Sequence, residues 1–175
     1  MGQRQAVVSI AESQIGINPG GDKFWQYMGY TQHVEWCASF LSWVMNEAGL
    51  TAAQWTQSGG VLQIYNGAVA RGDIIQVTDP IGLQPGDIVF FEWRNPGDGP
   101  DHIGIIYSTT STTITTIEGN ILVNGVDNVG TQVWNKSSSY IWAYARPQYT
   151  SALDPWHKRA AAAAVLGVKR RRKKK

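Results

Sequence analysis

The sequence predicts an α+β fold, with helices from the N-terminal half packed on an antiparallel β-sheet from the C-terminal half. Three observations support this prediction. Apolar residues in the first half recur at the spacing of amphipathic helices. After Pro85 and Gly86 the chain changes to short apolar segments separated by turn residues, which is typical of strands. The 175 residues, 43% of them hydrophobic, are enough for one domain with a buried core.

Three helices are predicted in the first half, and each ends at a glycine or a turn. They cover residues 7–16, 36–48 and 61–70. Gly49 ends the second helix. Ser58 is expected to cap the third helix, because a serine hydroxyl accepts a hydrogen bond from the free N–H groups of a first helical turn.

Five strands are predicted in the second half, each rich in apolar or β-branched residues and bounded by turn residues. They cover residues 87–92, 102–107, 112–118, 131–134 and 140–145. Because these segments follow one another without intervening helices, the sheet is expected to be antiparallel.

The charge of the chain is unevenly distributed. Its net charge is +2, but Lys169, Lys175 and the residues between them supply 7 of the 15 basic residues, so the rest of the chain has 8 basic and 13 acidic residues. The N-terminal residues have no pattern of a signal peptide, and no apolar run is long enough to span a membrane. We therefore expect a protein made in the host cytoplasm without a signal peptide.

Cys37 is the only cysteine, so the fold cannot depend on an intrachain disulfide. It stands at the predicted start of the second helix, where the helix dipole favours a thiolate. The alternative is that Cys37 is simply a small core residue, since it shares an apolar stripe with Phe40, Leu41, Val44 and Ala48.

The strand pair that begins at His102 brings this histidine close to polar partners. With a three-residue loop centred on Thr110, His102 lies opposite Glu118. A loop longer by two residues places it opposite Asn120, and a register shifted by one residue pairs it with Gly119 and makes Glu118 and Asn120 its diagonal neighbours. The sequence leaves these three registers open.

A thiol nucleophile needs a base that takes its proton and a third group that orients the base. Cys37, His102 and then Glu118 or Asn120 can supply these parts. The backbone N–H of Cys37 is the natural donor to an oxyanion, and the side chain of Gln32 is a second candidate donor.

Five segments together resemble the cysteine, histidine-dependent amidohydrolase/peptidase family known as CHAP. They are residues 36–44, 83–91, 101–105, 117–120 and 141–147, and the resemblance covers about residues 5–148. The related NlpC/P60 family shares some of these segments but typically has a different sequence around the cysteine and a second histidine, so CHAP is favoured.

The resemblance implies a papain-like α+β fold, in the NlpC/P60-CHAP class, and hydrolysis of amide bonds in bacterial peptidoglycan. It implies that Cys37 is the nucleophile, His102 the general base and Glu118 the residue that orients the base, with Asn120 as an accessory polar residue. Trp36, which directly precedes the cysteine, is grouped with Gln32 as oxyanion- or substrate-binding.

No metal or cofactor is predicted. His33 and Cys37 could form a zinc site with His102, but three scattered ligands without paired spacing make a weak case. Some phage members of the family bind calcium through an acidic loop before the cysteine. This chain offers only Asp22 and Glu35 there, too few for an oxygen cage.

The tryptophans divide into two predicted groups. Trp43 and Trp142 are expected in the core, and Trp25, Trp55 and Trp93 are candidates for a groove that contacts glycan.

Two parts of the chain are predicted, a catalytic domain over residues 1–149 and a helical, basic extension over residues 150–175. The extension, through Lys169 to Lys175, is expected to contact anionic cell surfaces, while a solvated extension without a partner and a peptide added by engineering stay open. No specific nucleic acid is expected, and the protein is expected to be a monomer.

The predicted function is a peptidoglycan hydrolase, either an endopeptidase or an N-acetylmuramoyl-L-alanine amidase. A phage lysin, released or virion-associated, is favoured over a bacterial autolysin. The alternative is a non-catalytic tail or wall-binding module on the same fold, in which Cys37 is only packed.

Overall fold

The computed structural model describes residues 2–77, 80, 82–94 and 97–151. They form four helices and six strands. The helices are α1 (Gln3–Ser13), α2 (Asp22–Tyr27), α3 (Cys37–Glu47) and α4 (Val61–Arg71). The strands are β1 (Ile74–Ile75), β2 (Ile88–Phe91), β3 (His102–Thr109), β4 (Thr113–Val123), β5 (Val126–Asn135) and β6 (Ile141–Ala145).

The six strands form one antiparallel sheet in the order β1-β6-β2-β3-β4-β5. Helix α3 packs on β3 and β4, and α1 and α2 pack against α3. The predicted α+β class and the papain-like architecture are confirmed.

The sheet is covered on both faces at its centre. Ile103, Ile105 and Ile117 belong to the large core between the sheet and the helices. Ile106 and Ile114 belong to a smaller apolar cluster. Because side chains alternate along a strand, His102 and Glu118 lie on the face of this smaller cluster.

The predicted elements are confirmed with shifts at their ends, but three details differ. Helix α2 was not predicted, because its six residues are too few to show a helical period. The two-residue strand β1 was not predicted, since so short a segment has no periodicity. Ser58 does not cap α4. Gly60 is the N-cap residue, and the Ser58 hydroxyl accepts a hydrogen bond of 3.0 Å from the Gly60 N–H.

The pairing of β3 with β4 decides between the three registers. Gly104 lies opposite Glu118 and Ile106 opposite Thr116, which is the register of the longer loop, and a bulge follows before Ser108. The register with the three-residue loop is wrong near His102. The position of the loop is the reason, because Thr109 lies opposite Ile114 and the chain therefore turns later than a loop centred on Thr110, and the bulge changes this pairing by one further residue.

A buried carboxylate joins three distant parts of the chain. Asp87, fully buried before β2, accepts hydrogen bonds from Arg4 of α1 at 2.9 Å and from two nitrogens of Arg146, which follows β6, at 2.9 and 2.6 Å. The Gln84 backbone N–H donates a fourth hydrogen bond at 2.8 Å. We call this the Asp87 clasp.

Among the helices that the structure describes, none is both long and apolar enough to cross a lipid bilayer. The extension predicted from residue 150, with Lys169 and Lys175, lies outside the described residues apart from Thr150 and Ser151.

Candidate active site

Cys37 is the first residue of α3 and is 5% exposed. Trp36 is the N-cap residue, and no side chain hydrogen bond caps this end of the helix within the described residues. The first backbone hydrogen bond of the helix runs from the Phe40 N–H to the Trp36 carbonyl. The N–H groups of the first turn therefore remain available to an anion, with the helix dipole behind them.

Gly119 allows β4 to approach the start of α3. A Cβ atom at this position would lie 2.7 Å from Phe40 Cβ and 2.8 Å from Trp36 Cζ3. These two residues flank Cys37 and are fully buried. The missing side chain of Gly119 therefore brings the strand that contains Glu118 close to the helix end that contains Cys37.

His102 and Glu118 form a buried pair. The distance from His102 Nε2 to Glu118 Oε2 is 2.8 Å, and the two residues are 3% and 0% exposed. They are diagonal neighbours, since Glu118 lies opposite Gly104. A Cβ atom at Gly104 would lie 2.8 Å from Glu118 Cγ, so this glycine leaves the space through which Glu118 reaches His102.

Neutral donors hold the other oxygen of Glu118. Trp134 Nε1 donates to Glu118 Oε1 at 2.9 Å, and the Thr116 hydroxyl donates a short hydrogen bond to the same atom. Among the described residues, His102 is the one partner of Oε2. The carboxylate therefore has one partner that can change its charge and two that cannot.

Aromatic rings cover the imidazole. The ring of Trp93 stacks on that of His102, with centroids 3.8 Å apart and an interplanar angle of 19°. The ring centroid of Phe91 lies 5.8 Å from that of His102 and 4.8 Å from that of Trp134. These rings fix the orientation of the imidazole and exclude water from it.

Cys37 and His102 line one cleft, so the thiol lies beside the imidazole. Because Nε2 faces Glu118, the second ring nitrogen, Nδ1, is the one that faces the sulfur. Burial by itself lowers the pKa of His102, but the hydrogen bond and charge of Cys37, followed by those of Glu118, outweigh it and raise the pKa from 6.5 to about 9. The site therefore favours the protonated form of His102.

Charged and polar groups form the rim of the site. Arg94 Nη2 lies 2.9 Å from Glu35 Oε1, and Asn120 Nδ2 donates a short hydrogen bond to Glu35 Oε2. The hydrogen bond from Arg94 is the main reason that the pKa of Glu35 is lowered. Asp101 accepts hydrogen bonds from the backbone N–H groups of Trp93 and Arg94 and so holds their loop in place.

These groups enclose a cleft of about 70 Å³, which we call the thiol cleft. It is lined by Glu35, Cys37, Trp93, Arg94, Asp101, His102 and Asn120. A thiol, an imidazole and a buried carboxylate in series can transfer a proton from sulfur and return it to a leaving group.

The structure brings four of the six predicted site residues together. Cys37, His102 and Asn120 line the thiol cleft, and Glu118 holds His102 from behind. Asn120 binds Glu35, and no hydrogen bond from it to His102 is found in the described part of the chain.

The two predicted substrate-binding residues lie elsewhere. Gln32 is exposed on the segment before α3 and is not among the described residues that line the thiol cleft. Trp36 is fully buried, with its ring stacked on that of Phe24, so the indole has no surface to offer to a substrate. This corrects the assignment of Trp36.

Sequence reasoning missed the groups that surround the pair. Thr116 and Trp134 bind Glu118, and Trp93 stacks on His102. The position of Thr116 two residues before Glu118, on the same face of the strand, was an available signal. No sequence pattern indicated Trp134, because its contact depends on the pairing of β4 with β5.

Two alternative assignments find no support in the structure. No group of three or more His, Cys, Asp or Glu side chains within the described ranges could hold a metal, and His33 is exposed beside Trp25. Trp25 and Trp55 are 7% and 3% exposed and belong to the core, whereas Trp93 lines the thiol cleft.

The model of the CHAP domain matches residues 25–120, which is more than half of the chain. The chain belongs to the CHAP domain family. The match begins in α2 and ends at Asn120, so it includes Cys37, His102 and Glu118. Membership indicates a peptidoglycan-related hydrolase of the cysteine peptidase or amidase type.

Solved structures resemble this CHAP domain in fold. One, from Staphylococcus aureus subsp. aureus Mu50, is described as similar to a lipoprotein of the NLP/P60 family. It has a TM-score of 0.50 and 16% identity, over 83% of this chain and 41% of that one. Another, Ly7917, has a TM-score of 0.50 and 16% identity, over 82% of this chain and 62% of its own.

The chain spans less than two thirds of the length of either protein. At this level of identity the similarity concerns the fold alone. No curated protein matches the chain in sequence.

Proposed function

We propose that this CHAP domain hydrolyses amide bonds in the peptides of bacterial peptidoglycan, with Cys37 as the nucleophile. The observation that carries the proposal is that Cys37 and His102 line one cleft, while His102 Nε2 lies 2.8 Å from Glu118 Oε2. A cysteine that is merely packed in the core has no need of a buried, oriented imidazole beside it.

His102 takes the thiol proton, and the thiolate attacks the amide carbonyl carbon to form a tetrahedral intermediate. The imidazolium then gives the proton to the leaving amine as the C–N bond breaks, which leaves a thioester. Water, deprotonated by His102, attacks the thioester carbon, releases the acid and restores the Cys37 thiol. Glu118 keeps Nε2–H directed toward itself and stabilises the imidazolium throughout.

The oxyanion of the intermediate needs donors that are already in place. The backbone N–H of Cys37 is our candidate, because the first turn of α3 has no side-chain cap in the described part of the chain. Asn120 lines the same cleft and could donate after Glu35 releases it. Gln32, exposed on the preceding segment, would require a movement of that segment to contribute.

Residues 1–149 form the catalytic part in this proposal, and Lys169 to Lys175 assist contact with the anionic cell surface. We propose that the protein is a monomeric phage lysin that acts at the cell wall. The bond is either within the peptide, as for an endopeptidase, or between muramic acid and L-alanine, as for an amidase.

The test is lysis of purified walls by the parent and by Cys37→Ala. The control is Ser39→Ala, a substitution in the same helix of a buried hydroxyl that has no hydrogen bond within the described residues. We expect Cys37→Ala to abolish lysis and Ser39→Ala to retain it, with both variants folded by circular dichroism.

Lysis that survives in Cys37→Ala would disprove the thiol mechanism. No lysis by a folded parent would favour a non-catalytic binding module on the same fold. Mass spectrometry of the fragments identifies the bond, because each cut releases a new amine.

A further inference from the structure

A second cavity adjoins the thiol cleft. It has a volume of about 320 Å³ and is lined by Trp93, Gln132, Trp134 and Tyr140. We call it the aromatic groove. Trp93 lines both cavities, so the groove shares a wall with the cleft that contains Cys37 and His102.

The rings of the groove are held in fixed positions by the site itself. Trp93 and Trp134 are stacked with centroids 6.0 Å apart, and Tyr140 meets Trp134 edge-on at 6.3 Å. Trp134 is fixed by its hydrogen bond to Glu118. Tyr140 is 51% exposed, so part of its ring is open to a ligand.

The groove differs from the thiol cleft in charge. None of the described residues that line the groove is charged, whereas Glu35, Arg94 and Asp101 line the cleft. A neutral aromatic surface with one amide suits a neutral ring that has apolar C–H faces and polar substituents. Charged peptide termini suit the cleft.

If the substrate is peptidoglycan, only its sugars have such rings, since its peptides consist of small and charged residues. We propose that the aromatic groove binds a sugar ring of the glycan strand and thereby presents the attached peptide to Cys37. This inference rests on the proposed function. It implies that the enzyme prefers peptides that are still attached to their sugars.

The test uses two peptidoglycan fragments with the same peptide, one with its disaccharide and one without. We expect the parent to have a KM about tenfold lower for the fragment with the disaccharide. In Tyr140→Ala and Gln132→Ala this ratio should fall toward one. Tyr30→Ala, a substitution of a tyrosine that is 40% exposed and lines neither cavity, is the control and should keep the ratio.

Binding is measured separately, by calorimetry with the disaccharide-bearing fragment and Cys37→Ala as the starting protein. Weaker binding by the double variant Cys37→Ala, Tyr140→Ala than by Cys37→Ala supports sugar binding in the groove. Equal binding by the two proteins overturns it. A parent that cleaves neither fragment contradicts the proposed function but not the groove, because the binding arm still decides the latter. If the parent has equal KM values for the two fragments and the groove variants have the same KM values as the parent, sugar binding in the groove is contradicted but the proposed function is not.

Discussion

Two fully buried carboxylates, Asp87 and Glu118, are held in opposite ways. Asp87 accepts hydrogen bonds from Arg4, from Arg146 and from one backbone N–H group. Glu118 accepts from a hydroxyl, an indole and His102. The partners of Asp87 keep their charge at every working pH, but the single cationic partner of Glu118 can lose its proton.

This difference separates a structural role from a chemical one. The Asp87 clasp joins α1, β2 and the end of β6, and the charges of its two arginines do not change at working pH. The Glu118 pair is balanced only while His102 is protonated, so proton transfer at His102 alters the energy of the site. Substitution of Glu118 should therefore mainly reduce activity, and substitution of Asp87 should mainly reduce stability.

The largest effect is expected from Glu118→Gln. The new amide can still accept from Trp134 and Thr116 through its oxygen, but its NH₂ group would donate to His102 Nε2 and place the ring proton on Nδ1, where it cannot accept the thiol proton. We expect wall lysis to fall by roughly 10³- to 10⁴-fold, while the free energy of unfolding falls by only about 1–2 kcal/mol. Lysis rates and urea titrations measure the two effects.

Asp87→Asn should show the reverse pattern. The amide NH₂ would face arginine donors and leave buried groups unpaired, so we expect the free energy of unfolding to fall by about 3–5 kcal/mol. Lysis per folded molecule should stay near that of the parent at a temperature where the variant is folded. A loss of lysis like that of Glu118→Gln in folded Asp87→Asn would contradict the separation.

The pH dependence sharpens the comparison. The pKa of His102 is raised from 6.5 to about 9, so the protonated ring stabilises the fold fully below pH 6.5, and this contribution is lost as the pH rises through about 9. The loss of unfolding free energy caused by Glu118→Gln should therefore become smaller between pH 6.5 and about 9. The loss caused by Asp87→Asn should stay constant over this range. Lysis should also decline above about pH 9, because the leaving amine loses its proton donor. A cost of Glu118→Gln that is independent of pH would contradict the pairing.

A smaller effect is expected from Gly104→Ala. The new methyl group would press on Glu118 Cγ and move the carboxylate from His102. We expect lysis to fall by about ten- to a hundredfold, with a melting temperature within a few degrees of the parent's. A fall in melting temperature without a loss of specific lysis would contradict the spacing role of this glycine.

The smallest effect is expected at the exposed ion pair of the rim, between Arg94 and Glu35. The side chains of Arg94 and Glu35 are 65% and 62% exposed, so Arg94→Ala should change the free energy of unfolding by no more than about 1 kcal/mol. In the same urea titration, high salt should bring the free energy of unfolding of the parent closer to that of the variant. A larger loss of stability would mean that the pair supports the fold.

Much of the fold was predictable because its elements are strongly patterned. The stripe of Cys37, Phe40 and Val44 predicted α3, and the short apolar segments predicted five of the six strands. Their ends and the register were less accessible, because the bulge beside Ser108 arises from pairing in three dimensions and has no local sequence signal.

For the site, residue types and order indicated Cys37, His102 and Glu118, but not how they reach one another. His102 meets Glu118 along a diagonal that Gly104 leaves open, and Gly119 allows β4 to approach α3. Both glycines stand in the sequence as ordinary strand or turn residues. Their roles depend on neighbours that only the folded chain supplies.

The stacking of Trp93 on His102 gives the molecule an internal optical probe. Indole fluorescence is quenched by a charged imidazole at contact distance, and these ring centroids are only 3.8 Å apart. The fluorescence of Trp93, one of eight tryptophans, is therefore expected to increase as His102 loses its proton. This contribution to the emission reports the charge state of the site without an added label.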